Sequence, residues 1–395
     1  MAPFTQTEGG SPPFLPTKRR VRIAVASLYF SLGFCFASWA SRIPDIKAAL
    51  HLTDAALGTI LFGLPAGQLL MMSFSGRLVT RFGSKKIILF AFPAYSLCLI
   101  HLGLAAHGWQ LGIGLLLFGL CANMCNISTN TQGIVAEKLY ERPILSSFHG
   151  VWSIAGFSGA LVGLLMMSLR VHPFRHFCIS VALVWLLVSL NYRMLIPVKS
   201  GSSGGTAASH AFLRPDRTLL LLGVICFCSM ASEGAMFDWS GVYFKDVVRT
   251  RTALVMLGYA SFMVMMAAGR FIADGLVSRF GRQPVLQVSG LMISAGLFLS
   301  VFFPYLITST IAFTIVGLGV SSVVPSVYSA AGKHGKAAPG IAIATVASVG
   351  FLGFLMGPPL IGYISAAAGL RWSFALIGIF GMCITLLVSS TDVLR

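Results

Sequence analysis

The chain has 395 residues, 56% of them apolar and only 10% charged, where a soluble domain carries about 25%. Such a sequence cannot clothe a water-facing surface, so lipid must be its solvent. The formal charge of +17, from 28 Lys and Arg against 11 Asp and Glu, would suggest nucleic acid in a soluble protein. Here the bases sit mainly between apolar runs, where they orient helices and meet anionic lipid, and no nucleic-acid partner is expected.

An apolar run of about 20 residues crosses the hydrocarbon core as a helix. The chain opens on a tail at 1–20, polar and Pro-containing through residue 17, with basic KRRVR from Lys18 leading into an uncleaved first span at 21–41. Further spans are predicted at 55–79, 85–106, 109–136, 145–168 and 174–196. The Gly- and Ser-rich stretch 198–217 then reads as a flexible linker. Six more spans follow at 218–244, 252–277, 283–304, 307–331, 339–366 and 371–390, with a short tail at 391–395. The expected fold is an all-α integral membrane protein of twelve transmembrane helices, in two six-helix bundles at 21–197 and 218–390.

With the N-terminus inside, 19 bases fall on cytoplasmic segments and 8 on outer ones, so both termini are expected in the cytoplasm. The eight cysteines all lie in apolar runs without a CxxC pair or a His cluster, and neither metal site nor disulfide is indicated. No GxxxxGK[ST] loop and no recognisable catalytic signature is present, so nucleotide-driven pumping and enzyme activity are not expected, and no cofactor is implied.

The halves echo each other. RFGSKK at Arg81 and RFGRQ at Arg279 are 198 residues apart, as are Gly159 and Gly357, while Trp39 and Trp239 differ by 200. Three matches at a nearly constant offset indicate a duplicated six-helix unit, an arrangement that suits a transporter with a site between its halves.

These residues resemble the major facilitator superfamily, whose signature between the second and third helix of each half has the form G-x-x-x-D-R-x-G-R-[RK]. The chain has GRLVTRFGSKK from Gly76 and DGLVSRFGRQ from Asp274. The resemblance implies a cytoplasmic gate built on Gly76, Arg81 and Gly83, with Arg279 and Gly281 in the second copy. Thr80 and Ser278 stand where the family has an acid that helps lock this gate. Within the superfamily, SWASRIPDI, SSFHGVWSIAGFSGA, EGAMFDW and VGFLGFLMGPPLIGYI are similar to YbjJ-like bacterial permeases, which resemble sugar-type porters. That likeness implies a bacterial inner-membrane protein.

Against this background Glu233 stands out, a carboxylate about 15 residues into the seventh span, where an ionisable group costs roughly 2.5–3.5 kcal/mol to insert. A carboxyl in a low-dielectric cavity suits the uptake and release of a coupled proton; helix packing is the plain alternative. Gly234 beside it is expected to loosen the helix. Asp238 and Trp239 lie farther out and are expected near the outer vestibule, like Trp39 with Arg42 and Asp45; an interfacial anchor is the plain alternative for each Trp.

Asn123, Asn126 and Asn130 fall at i, i+3 and i+7 on one helix face, which must meet a cavity or another helix. His149, Trp152 and Ser153, Gln68 midway along the second span, and Ser322 and Tyr328 in the tenth complete the candidate binding groups, with Ser326, Thr345 and Ser348 weaker. Arg270 and Asp274, at i and i+4, are expected to pair, as a structural ion pair or as a gate replacing the missing signature acid. Met263, Met265 and Met266 read as packing.

The expected function is secondary active transport by alternating access, with proton-coupled uptake of a small neutral polar solute such as a sugar. No base is expected near the midplane, and amides, hydroxyls and an aromatic face suit a neutral polyhydroxylated ligand. Proton-driven efflux of amphipathic compounds, or a non-transporting sensor with the same fold, are the alternatives; a monomer is expected. Reporter fusions after Lys199 should report the cytoplasm and fusions at Lys47 the outside, and the reverse at either point contradicts this topology.

Overall fold

Residues 16–140, 144–197, 216–333 and 339–394 are described in the computed structural model of the chain. Residues 1–15 of the expected tail and 198–215 of the expected linker lie outside the described residues. The remainder is helical: α1 (Lys18–Ala49), α2 (Asp54–Leu61), α3 (Gly63–Phe82), α4 (Ser84–Leu104), α5 (Gly108–Tyr140), α6 (Leu145–Ser168), α7 (Pro173–Tyr192), α8 (Arg217–Asp246), α9 (Leu257–Phe280), α10 (Arg282–Phe302), α11 (Leu306–Lys333), α12 (Pro339–Ala368) and α13 (Leu370–Ser389). Twelve stretches are long and apolar enough to cross a membrane, α2 and the first part of α3 forming one of them. Helices suit this solvent because they satisfy every backbone N–H and C=O internally. Large apolar side chains such as Phe90, Leu190 and Ile307 point outward, toward lipid.

Two expected spans differ in the structure. The second is interrupted at Phe62, because Pro65 cannot donate to the helix ladder and its ring crowds the carbonyl four residues back, at Leu61. The first continues eight residues beyond its expected end, to Ala49. Its polar last turns are held by Arg42, which pairs with Asp45 at 3.0 Å and donates from Nη2 to the Val171 carbonyl at 2.6 Å.

The sequence echo reappears as a repeated packing scheme. α1 packs on α6 as α8 packs on α12, α3 on α5 as α9 on α11, and α4 on α7 as α10 on α13. The two RFG motifs make the same turn. Gly83 and Gly281 cap α3 and α9 at φ of 84° and 85°, a left-handed conformation that costs little only for glycine. The Arg81 guanidinium lies 5.3 Å from the Phe82 ring centre, and Arg279 lies 5.3 Å from that of Phe280. Trp39 and Trp239 also match, but both are fully buried inside the bundles. Neither anchors at a membrane interface or lines a mouth, since both side chains are enclosed by the packed helices.

Contacts between the halves run along α2 with α12, α6 with α9, and α1 with α8. The face where α1 begins and α13 ends is here the terminal face. At the opposite face the seam is tight: a Cβ on Gly58 would lie 2.7 Å from the Pro358 carbonyl oxygen, and one on Gly362 only 2.4 Å from that of Asp54. At the terminal face, a Cβ on Gly76 or Gly275 would meet nothing within 4 Å among the described residues. The halves are therefore pressed together at the opposite face, while Gly76 and Gly275 border open space at the terminal one. Gly362→Leu should wedge the opposite face open, so that spin labels at Ala55 and Ala366 move apart; an unchanged distance contradicts this reading of the seam.

Candidate functional site

Glu233 lies about 24 Å along α8 from Arg217 and about 20 Å short of Asp246, at 1.5 Å per residue. That is mid-membrane. α8 is unbroken through Gly234, whose missing side chain makes room for the Phe354 ring of α12 rather than loosening the helix. Arg270 sits about 15 Å from the Phe280 end of α9, well inside the span. Its Nη2 donates to Glu233 Oε1 at 3.3 Å, with the carboxylate side chain 11% and the guanidinium side chain 33% exposed. Arg270 of α9 thus pairs with Glu233 of α8; the Asp274 side chain, the other expected partner, lies outside the described residues.

One helical turn beyond Glu233, Phe237 forms the centre of an aromatic layer. Its ring centre lies 5.5 Å from Phe36 and 6.3 Å from Trp152 in the first half, and 5.8 Å from Phe262 and 6.1 Å from Phe354 in the second. This layer caps the Glu233–Arg270 pair on the side of the opposite face. Farther out, Lys47 joins Asp54 at 2.6 Å and Asp246 at 2.5 Å, linking α1 to α2 and α8. Lys245 donates to the Pro44 carbonyl at 3.0 Å, and Ser365 donates to Asp54. Apolar rings, then ions, close this end.

Toward the first half, polar groups form a chain. Tyr29 donates to Asn130 Oδ1 at 2.5 Å, and Asn130 Nδ2 donates to Asn126 Oδ1 at 2.6 Å. The Tyr29 ring centre is 5.2 Å from His149, which is exposed near the terminal-face end of α6 and within electrostatic reach of Arg270. Tyr328, on α11, is within electrostatic reach of Glu233. Asn126, Asn130, His149, Trp152, Tyr328, Glu233 and Arg270 are thereby brought to one region between the halves.

Other candidates are placed elsewhere. Asn123 accepts from Ser75 at 2.6 Å, tying α5 to α3, and Ser322 shares a 2.8 Å hydrogen bond with Ser289 of α10. Ser153 is buried and donates to the His149 carbonyl in its own helix. Trp239 is enclosed by the bundle, Asp238 is half-buried near Tyr259, and half-buried Gln68 has no hydrogen bond to the cluster among the described residues. Gly76, Arg81, Gly83, Arg279 and Gly281 gather at the terminal face, where both arginines are exposed. Tyr29, Phe36, Phe237 and Lys47 were not singled out in the sequence. For Phe237 the signal was available: it lies four residues from Glu233, on the same helix face.

Residues 25–340 match the profile of the Major Facilitator Superfamily. The chain belongs to this family. Its members are transporters, not enzymes, and this chain is an integral, multi-pass membrane transporter with the family's twelve-helix fold. It is 29% identical to an uncharacterized MFS-type transporter of Yersinia pestis, over 95% of this chain and 96% of that one. Crystal structures of the nucleoside transporter NupG and of a D-xylose–proton symporter share the fold. The first has a TM-score of 0.76 at 11% identity, covering 95% of this chain and 99% of that one. The second has a TM-score of 0.71 at 15% identity, covering 95% and 98%.

The midplane pair removes the premise for an uncharged ligand, since a base does reach the centre of the membrane. Glu233→Gln and Arg270→Gln should each lower thermal stability by leaving one charge unpaired, by less than a fully buried pair would because the Arg270 side chain is 33% exposed. The double variant should lose less than the sum of the two. Strict additivity in a double-mutant cycle would show that the groups do not interact.

Proposed function

We propose that this protein is a secondary active transporter that imports a small polar solute together with a proton, and that Glu233 carries the proton. The observation that supports this best is a carboxylate at mid-membrane, paired with a base, on the helix that also carries the aromatic cap between the two halves. A fixed positive partner gives that carboxylate two distinct states. Ionised, it holds Arg270 and ties α8 to α9; protonated, it releases the guanidinium. The arrangement fits alternating access by rocking of the bundles 21–197 and 218–390 about the site, the linker at 198–217 keeping them tethered. The excess of bases on terminal-face segments supports a cytoplasmic location for that face, and the bacterial relatives support a bacterial inner membrane as its place. Lys47, Asp54 and Asp246 then form the outer lock of an inward-open state. The solved D-xylose–proton symporter with this fold agrees with proton coupling.

Glu233→Gln should abolish uphill accumulation in reconstituted vesicles while leaving solute exchange at equal concentrations intact. Accumulation that still follows the pH gradient in this variant contradicts the coupling role.

A further inference from the structure

Resting on that reading, we infer that the transported solute is a polyhydroxylated monocarboxylate, a sugar acid such as a hexuronate or an aldonate, whose carboxylate is taken by Arg270 when a proton takes Glu233 from it. Among the described residues only one Lys or Arg faces the site at mid-membrane, and in this structure it is satisfied by Glu233 at 3.3 Å. When a proton from the outer water binds the Glu233 carboxylate, the ion pair is broken and an uncompensated guanidinium is left in low dielectric. That state is costly. A neutral sugar does nothing to relieve it, whereas a carboxylate restores the charge balance and matches the fork geometry of the guanidinium with two parallel hydrogen bonds. Proton and anion thus favour each other's binding. On the cytoplasmic side the anion leaves, Glu233 gives its proton to the inner water, and the pair re-forms.

The charge inventory around the pair among the described residues, which do not include the Asp274 side chain, narrows the class. From α6 it is faced by His149, from α11 by Tyr328, and from α1 by Tyr29 through His149. Higher on α9 stands Tyr259, beside Asp238 of α8, beyond the Phe237 ring. α12 and α13 carry only Tyr363 and Arg371 at their outer ends and the Cys383 thiol as titratable groups. A dianion such as a sugar phosphate would leave one charge unmatched. An amino acid would bring a cation to a site whose own acid is then neutral. Asn126, Asn130, Tyr29 and Tyr328 supply amide and phenol groups for hydroxyls, and Trp152 supplies an aromatic face for the ring.

The test uses the full chain, purified and then reconstituted in vesicles, with the matched probes galactose and galacturonate, and glucose and gluconate. At least one acid should bind and its neutral partner should not compete. Uptake of a monoanion with one proton moves no net charge, so a pH gradient alone should drive it and an imposed membrane potential should leave it unchanged. Arg270→Gln should weaken acid binding by at least about tenfold, as loss of a charge-assisted bidentate contact implies. The Glu233→Gln/Arg270→Gln double variant, with no unpaired charge left to disturb folding, should show the same loss. Preference for a neutral sugar, uptake driven by the membrane potential, full acid binding in either arginine variant, or failure of every acid to bind would each overturn the inference. Acid binding that needs Arg270, combined with uptake indifferent to the pH gradient and to Glu233→Gln, would instead retain the substrate class and overturn the proton coupling.

Discussion

A carboxylate and a guanidinium facing each other at the middle of a membrane set the terms for the rest of this structure. Neither charge can stay there alone, because hydrocarbon offers no water to solvate it. An apolar pair of similar volume would hold α8 to α9 at least as well, since desolvation offsets much of the attraction within a buried ion pair. Stability therefore does not account for Glu233 and Arg270. A pair that breaks and re-forms with the arrival and departure of a proton does.

The packing around the pair is arranged so that breaking it has consequences at a distance. Phe237 follows Glu233 by one turn and touches rings from both halves, so α8 carries the ionisable group and the aromatic cap together. The same helix ends at Asp246, which Lys47 of α1 grips at the opposite face. Small residues set how closely the halves approach there: Gly58 and Gly362 cross with backbone against backbone, and Pro44 packs on Gly241. One rigid helix thus links the midplane pair, the apolar layer and the outer ion cluster. Such a connection is suited to an all-or-none change, because close-packed interfaces shift between discrete arrangements rather than deforming continuously.

Much of this architecture was legible in the sequence because bilayer thickness and backbone hydrogen bonding leave few options for an apolar run. The duplicated unit could be read from RFG at two positions, and the matching turns at Gly83 and Gly281 are its physical counterpart. Glu233 could be singled out because a mid-span acid is costly wherever it points. Its partner could not. Along α9 the spacing of Arg270 pointed to Asp274, whose side chain lies outside the described residues, and only the packing of α8 on α9 brings in a carboxylate 37 residues away. The same limit applies to Asn123, whose face could meet a cavity or a helix and bonds to Ser75 of α3, to Ser322, which bonds to Ser289, and to the buried Trp39 and Trp239. Periodicity tells which residues share a face, not what that face meets. The break at Phe62 was within reach, since Pro65 follows Gly63 closely enough to end a helix.

The central claim, that Glu233 and Arg270 form a proton-operated switch for an anionic solute, is tested most directly by counting protons on binding. Purified protein in weakly buffered detergent solution, with a pH-indicating dye, should take up close to one proton per bound sugar acid while Glu233 is ionised. That uptake should fade as the pH is lowered until Glu233 is already protonated, and it should be absent from Glu233→Gln. Saturable binding with no proton uptake at any pH, or an uptake that persists in Glu233→Gln, would contradict the account.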